Sequence, residues 1–198
     1  DLSQADAMHI DLWVNGANLL GDAGSYSYYS IPDLSGYFNG TASHNTVQFD
    51  GRDQMPKLGR FLFGNWLKTK RATPVAVSDS HVSSSASYCD FRGAEHFRQV
   101  NLNRSSLTII DKVKGFRERA VIRWRLADGQ WILENSKNGV EVSDGLNTLT
   151  VTSDVTIVSA KIVDGWKSLF YMQKKLVPVL EVEIRSAGII STKFSWVS

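Results

Sequence analysis

Apolar and polar residues alternate with a period of two along most of the chain. In "MHIDLWV", Met8, Ile10, Leu12 and Val14 point one way and His9, Asp11 and Trp13 the other, as successive side chains of an extended strand do. "VIRWRL" sets Ile122, Trp124 and Leu126 against Arg123 and Arg125, and "LEVEIRS" sets Leu180, Val182 and Ile184 against Glu181, Glu183 and Arg185. Runs at 46–50, 61–69, 73–82, 85–91, 95–102, 107–113, 149–152, 155–163 and 189–197 predict further strands. No helical stripe is sustained. Between the runs fall Asn15-Gly16, Asp50-Gly51, Asp128-Gly129, Asn138-Gly139, Asp144-Gly145 and Asp164-Gly165, pairs that tolerate the positive φ of tight hairpins. About a dozen short strands with frequent turns predict an all-β fold, a large antiparallel β-sandwich with little helix. Apart from the serines at 83–85, no repeat, linker or low-complexity tract breaks the 198 residues, which predicts a single β-sandwich domain over 1–198.

Composition narrows the function. With 42% hydrophobic residues the chain has the apolar surface for a core and is not disordered. Its 22 basic and 20 acidic side chains leave a net charge of +2, too small to mark a nucleic-acid partner by bulk electrostatics. No apolar run approaches the ~20 residues of a membrane-spanning helix. Cys89 is the one cysteine, so no internal disulfide forms; without a neighbouring base it reads as a buried small residue. Phosphate-cradling glycine loops, Cys-x-x-Cys pairs and nucleophile elbows are missing from the sequence. The alternation begins close to Asp1 with no leader before it, and the chain is expected to be a piece of a longer protein.

The first 54 residues hold the richest chemistry. Asp22 ends a strand-like run, Ala23-Gly24 turns, Ser25 to Tyr29 supply hydroxyls and phenols, and His44-Asn45 opens the next strand. A carboxylate and an imidazole on neighbouring strand ends can share zinc; equally, Asp22 can cap a turn while His44 donates to a carbonyl. Three close tyrosines, Tyr26, Tyr28 and Tyr29, offer a proton-transferring phenol or a platform for sugar rings, or sandwich core. His9 lies on the polar side of its strand, and His81 and His96 have no evident carboxylate pattern and no assigned role. Arg123 and Arg125 share a face that is either the solvated side of a sheet or a contact for an acidic polymer.

Four segments then acquire a common meaning. "QADAMHIDLWVNGANLLGDAGSYSY", "YFNGTASHNTVQFDGRDQ", "GFRERAVIRWRLADGQW" and "GWKSLFYMQKKLVPVLEVEI" resemble, in order and across the chain, the C-terminal part of heparinase II/III-like proteins. In that family a helical (α/α) toroid precedes a β-sandwich that packs against it, and the better-studied members are lyases of uronic-acid polymers such as heparan sulfate or alginate. The resemblance implies a structural zinc held by Asp22 and His44, with Gln4 at the usual third-ligand position and Leu2 at the histidine position before it. It implies Tyr28 and His44 as catalytic groups and His9, Tyr26, Tyr29 and Asn45 as substrate-binding ones.

The chemistry in question is β-elimination: the proton alpha to the uronate carboxylate is removed and the glycosidic oxygen expelled. The enzyme must neutralise that carboxylate, and a phenol or imidazole must move the proton. By resemblance the partners are an anionic polysaccharide and an N-terminal toroid of the same chain, with no nucleic acid and no membrane span, and the location is periplasmic or extracellular. Because neither position 2 nor 4 is histidine, the alternative is a non-catalytic domain that binds glycan or serves exopolysaccharide biosynthesis.

Overall fold

The computed structural model describes residues 4–27, 32–59, 62–136 and 139–197, with backbone alone for residues 32–35. In chain order its elements are β1 (Leu12–Val14), β2 (Ala17–Leu20), helix α1 (Pro32–Asn39), a 3-10 turn (Thr41–Ser43), β3 (Val47–Phe49), β4 (Lys57–Gly59), β5 (Leu62–Phe63), β6 (Lys68–Ser78), β7 (His81–Cys89) and β8 (Glu95–Asn103). They continue with β9 (Ser106–Lys114), β10 (Ala120–Arg125), β11 (Ile132–Ser136), β12 (Gly139–Ser143), β13 (Asn147–Ser153), β14 (Ile157–Lys167), β15 (Lys175–Ile184) and β16 (Gly188–Trp196).

Two antiparallel sheets make the sandwich. The larger has eight strands in the order β11-β12-β13-β16-β9-β8-β7-β6, and the smaller has four in the order β14-β15-β10-β3. The strand alternation supplies the layer between them: Leu107, Ile109 and Val113, Leu149 and Val151, and Ile190 and Phe194 share one buried cluster with Ile122, Trp124, Leu180, Val182 and Ile184. At roughly 25 cal/mol per Å² of apolar surface, this shared layer is the main favourable term holding the sheets together.

The turn chemistry works where two positive-φ residues fall side by side. Asn15 (φ 49) and Gly16 (φ 81) close the β1–β2 hairpin, and the Asp144 carboxylate accepts from the Leu146 and Asn147 amides to close β12–β13. Asp164-Gly165 is a correction, because Gly165 lies inside β14 and makes no turn. A Cβ there would stand 2.6 Å from Val179 Cγ2, 2.9 Å from the Tyr37 hydroxyl and 3.0 Å from Arg125 Nη1, so glycine serves a close approach rather than a bend. The expected strand 73–82 spans the tip of the β6–β7 hairpin. Every described residue of β6 except Thr73 is exposed, so no alternation marks where that strand ends. Cys89 is half-buried rather than buried, with its thiol 3.5 Å from the Asp90 carbonyl.

Candidate metal centre

Three irregular segments beside the small sheet converge on one point. His9 precedes β1 in a turn set by Met8 (φ 62) and by the His9 amide donating to the Asp6 carbonyl. Asp22 follows β2, and its Oδ2 accepts from the Gly24 amide at 2.9 Å. His44 ends the 3-10 turn, donating its amide to Thr41, and leads into β3. Thr41 and Ser43 pin that turn through hydroxyl bonds to the carbonyls of Ala5 and Gly40.

Asp22 Oδ1 lies 2.6 Å from His44 Nδ1 and 3.8 Å from His9 Nε2. The two rings meet edge to face with centroids 5.4 Å apart. One donor atom from each of His9, Asp22 and His44 falls within 4.8 Å of the others. His44 has no exposed surface, and His9 and Asp22 are half-buried.

Burial pushes the His9 imidazole down to about 4, against the opposing pull of Asp22 and helped by the nearby His44. For Asp22 burial works upward, but the hydrogen bond and charge of His44, the Gly24 amide and the charge of His9 outweigh it. The carboxyl is held well below its usual range and is ionised at neutral pH.

The proton positions follow from the partners. His9 Nδ1 accepts from the Asn45 amide at 2.9 Å, so a neutral His9 carries its proton on Nε2. His44 Nδ1 faces Asp22 as a donor, and its Nε2 is turned into the protein. Both Nε2 atoms are buried and lack a hydrogen-bond partner. Buried polar atoms are nearly always paired, so the unpaired ring nitrogens of His9 and His44 mark this cluster as one that could hold an ion. Two imidazoles and one carboxylate suit zinc. Coordination through His9 Nε2 requires its proton to move to Nδ1 and the Asn45 amide to be released.

Several expected roles change. Among the described residues the His, Cys, Asp or Glu side chain that joins Asp22 and His44 is His9, where the resemblance gave the third place to Gln4. His44 is wholly enclosed and lies against Asp22 and His9. Asn45 is equally enclosed and turned inward: its side chain donates to the Ile10 and Gly21 carbonyls and accepts from the Arg125 amide. Tyr26 is half-buried, stacked on Phe38 at 5.8 Å with the Lys174 ammonium 5.7 Å from its ring. Tyr28, Tyr29 and Leu2 lie outside the described residues. Arg125, expected on a solvated face, is 1% exposed and donates to the Tyr37 hydroxyl and the Trp166 carbonyl. Arg123 is paired with Glu181 and Gln48, so the pair is not a free basic row.

A second ionic group is buried between the sheets. Asp111, His96 and Arg98 sit on the core-facing sides of β9 and β8, with Asp111 Oδ1 2.6 Å from His96 Nε2 and 2.7 Å from Arg98 Nε. The signal was present in "LTIIDKV", where alternation puts Asp111 on the same side as Ile109 and Val113.

Comparison with known proteins agrees with this architecture. The sequence model described as "Heparinase II/III-like, C-terminal" matches residues 2–194. The heparan sulfate lyase HepC from Pedobacter heparinus is similar in structure, with a TM-score of 0.78 at 18% identity over 98% of this chain and 31% of that one. Heparinase III gives a TM-score of 0.76 at 18% identity over 98% of this chain and 30% of that one. The chain therefore spans about a third of the length of these structures. No curated protein matches the sequence significantly.

Proposed function

The chain belongs to the heparinase II/III-like family as its C-terminal region, and from that membership we propose that it forms one wall of the cleft of a polysaccharide lyase. The substrate class is a uronic-acid-containing anionic polysaccharide, and the opposite wall is an N-terminal toroid of the parent protein. The parent acts in the periplasm or outside the cell, where such polymers are met.

One observation carries the reading: His9, Asp22 and His44 form a complete, partly buried donor set on a chain of this family. The alternative of a non-catalytic glycan-binding domain rested on missing histidines at positions 2 and 4, and His9 supplies an imidazole from another position. In the proposal the three residues would hold a structural zinc, whose chemistry would be to take the place of the proton between His44 and Asp22 and cross-link three loops. Asp22 contributes the charge, and the enclosed His44 and half-buried His9 fix the directions of approach. Through Asp22 the centre is joined to the segment that follows it, where Tyr26 and the proposed proton-moving phenol, Tyr28, stand. Tyr29 is proposed to contact the polymer. The Asp22–Gly24 turn is tied to the β14–β15 hairpin by the Ser168 amide donating to Ala23 at 2.7 Å. That hairpin carries the exposed Leu169, Phe170, Tyr171 and Met172 and the lysines Lys174 and Lys175. Apolar ring and chain surface with ammonium groups is the combination that a carboxylated sugar polymer contacts well.

The test is eliminative activity of the parent protein on a panel of uronic-acid polymers, followed by the near-ultraviolet absorbance of the unsaturated product. Product formation is expected. Silence across heparan sulfate, heparin, alginate and hyaluronan, with glycan binding retained, would establish the non-catalytic alternative.

A further inference from the structure

Arg98 lies inside the sandwich, 2% exposed, where a guanidinium is tolerated only when fully engaged. Two of its nitrogens form a bidentate pair with Asp111, directly opposite on β9, at 2.7 Å from Nε and 3.0 Å from Nη2. That pair already neutralises the charge. The remaining nitrogen, Nη1, reaches the other way and donates to the carbonyls of Met8 at 2.6 Å and Asn45 at 2.7 Å.

Those two carbonyls are informative. Met8 immediately precedes His9, and Asn45 immediately follows His44. Both belong to backbone outside the strands, with no sheet ladder to fix it, and Met8 holds a positive φ. Asn45 is also the residue whose amide contacts His9 Nδ1. Arg98 thus grips both histidine segments from a single group whose other edge is locked to the β8–β9 pair. Asp111 is in turn braced by His96, and the guanidinium sits 5.2 Å over the Trp124 ring.

We propose that Arg98 is the positioning residue of the His9–Asp22–His44 centre, transferring the rigidity of the large sheet to two loops that would otherwise set the ligand spacing loosely. The inference rests on the reading of that centre as a zinc site. Groups that orient ligands without touching the ion typically change metal affinity by about 10- to 100-fold when altered.

Lysine at this position separates the roles, because Arg98→Lys keeps a cation beside Asp111 but cannot hold that carboxylate bidentately and both carbonyls together. Zinc affinity is measured by competition with a chromophoric chelator, and ligand geometry by the visible absorption of the cobalt-substituted protein. The wild type is expected to bind one zinc, and Arg98→Lys to bind about 10-fold or more weakly with an altered cobalt spectrum. The double variant Arg98→Gln/Asp111→Asn, which removes both charges, is expected to show the same loss and decides the matter if the lysine variant does not fold. Leu149→Ala, in the β13 core, serves as the stability control and should lower the thermal midpoint while leaving zinc affinity unchanged.

Wild-type zinc affinity in both Arg98 variants would overturn the positioning role alone. So would an equal loss in Leu149→Ala, since the effect would then be general destabilisation. A wild-type protein that binds no zinc overturns the zinc reading, and the inference with it.

Discussion

His44 Nδ1 and Asp22 Oδ1 lie 2.6 Å apart, joining the residue that ends the 3-10 turn to the residue that follows β2. The contact is shorter than the roughly 3.4 Å that separates two ligands about 2.1 Å from a tetrahedral zinc. The proton between them therefore occupies part of the space an ion takes, and metal loading exchanges proton for cation.

Asp22→Asn is expected to abolish that exchange. In the wild type, zinc at about 100 times its dissociation constant should stabilise the fold by about 2.7 kcal/mol, reversed by a chelator. The variant should show no zinc-dependent rise in thermal midpoint. A full rise in Asp22→Asn removes the carboxylate from the ligand set.

Removing Asp111 should be among the most damaging single changes in the chain. Asp111→Ala leaves the Arg98 guanidinium and the His96 ring without their shared acceptor inside the core. The expected loss is about 3–5 kcal/mol, read from urea unfolding. A loss under about 1 kcal/mol would mean that water enters and replaces the carboxylate.

Acid should destabilise the protein in a definite order. Burial holds the His96 ring below its ordinary 6.5, against Asp111, which favours the charged form. Asp111 is held below its ordinary 3.8, because Arg98 and His96 outweigh burial. With both folded values depressed, the unfolded chain takes up protons first. Stability is therefore fully present above about pH 7.5, falls as His96 and His9 are forced to charge, and falls again below pH 4 with Asp111. His96→Gln keeps a donor to Asp111 but does not titrate, so its thermal midpoint should fall less between pH 7 and 5. An unchanged slope would assign the loss to other groups.

Gly165→Ala should be destabilising by about 1–3 kcal/mol, as overpacking of a filled site generally is. The added methyl meets Val179, the Tyr37 hydroxyl and Arg125, and displacing the last two disturbs the bonds that tie α1 to β10 and β14. Comparison with Gly145→Ala separates the two glycine roles. That residue has open space around it and φ 91, so any loss there comes from backbone strain alone.

What the alternation could disclose was the set of strands whose two faces differ. Ile122, Trp124, Leu180, Val182 and Ile184 were readable as core because each alternates with a polar neighbour. β6 was blurred because nearly all of it is exposed, and α1 because a single turn-rich segment, "PDLSGYFN", carries too short a stripe. Asp22 and His44 were legible as a pair from the segments around them. The meeting of His9 with them is not legible, because spacing along the chain does not show which loop folds back against which.

The sequence by itself determined an all-β sandwich and a region of hydroxyl, carboxylate and imidazole groups near its start, because period-two patterning and turn residues act over a few residues. Only the tertiary structure decided that His9 completes the centre, that Asn45 turns inward, and that Arg98 reaches from β8 to both histidine segments. Those contacts join residues 36, 53 and 90 positions apart in the chain. Their geometry is set by how two sheets pack around a buried ion pair, which no local rule of spacing encodes.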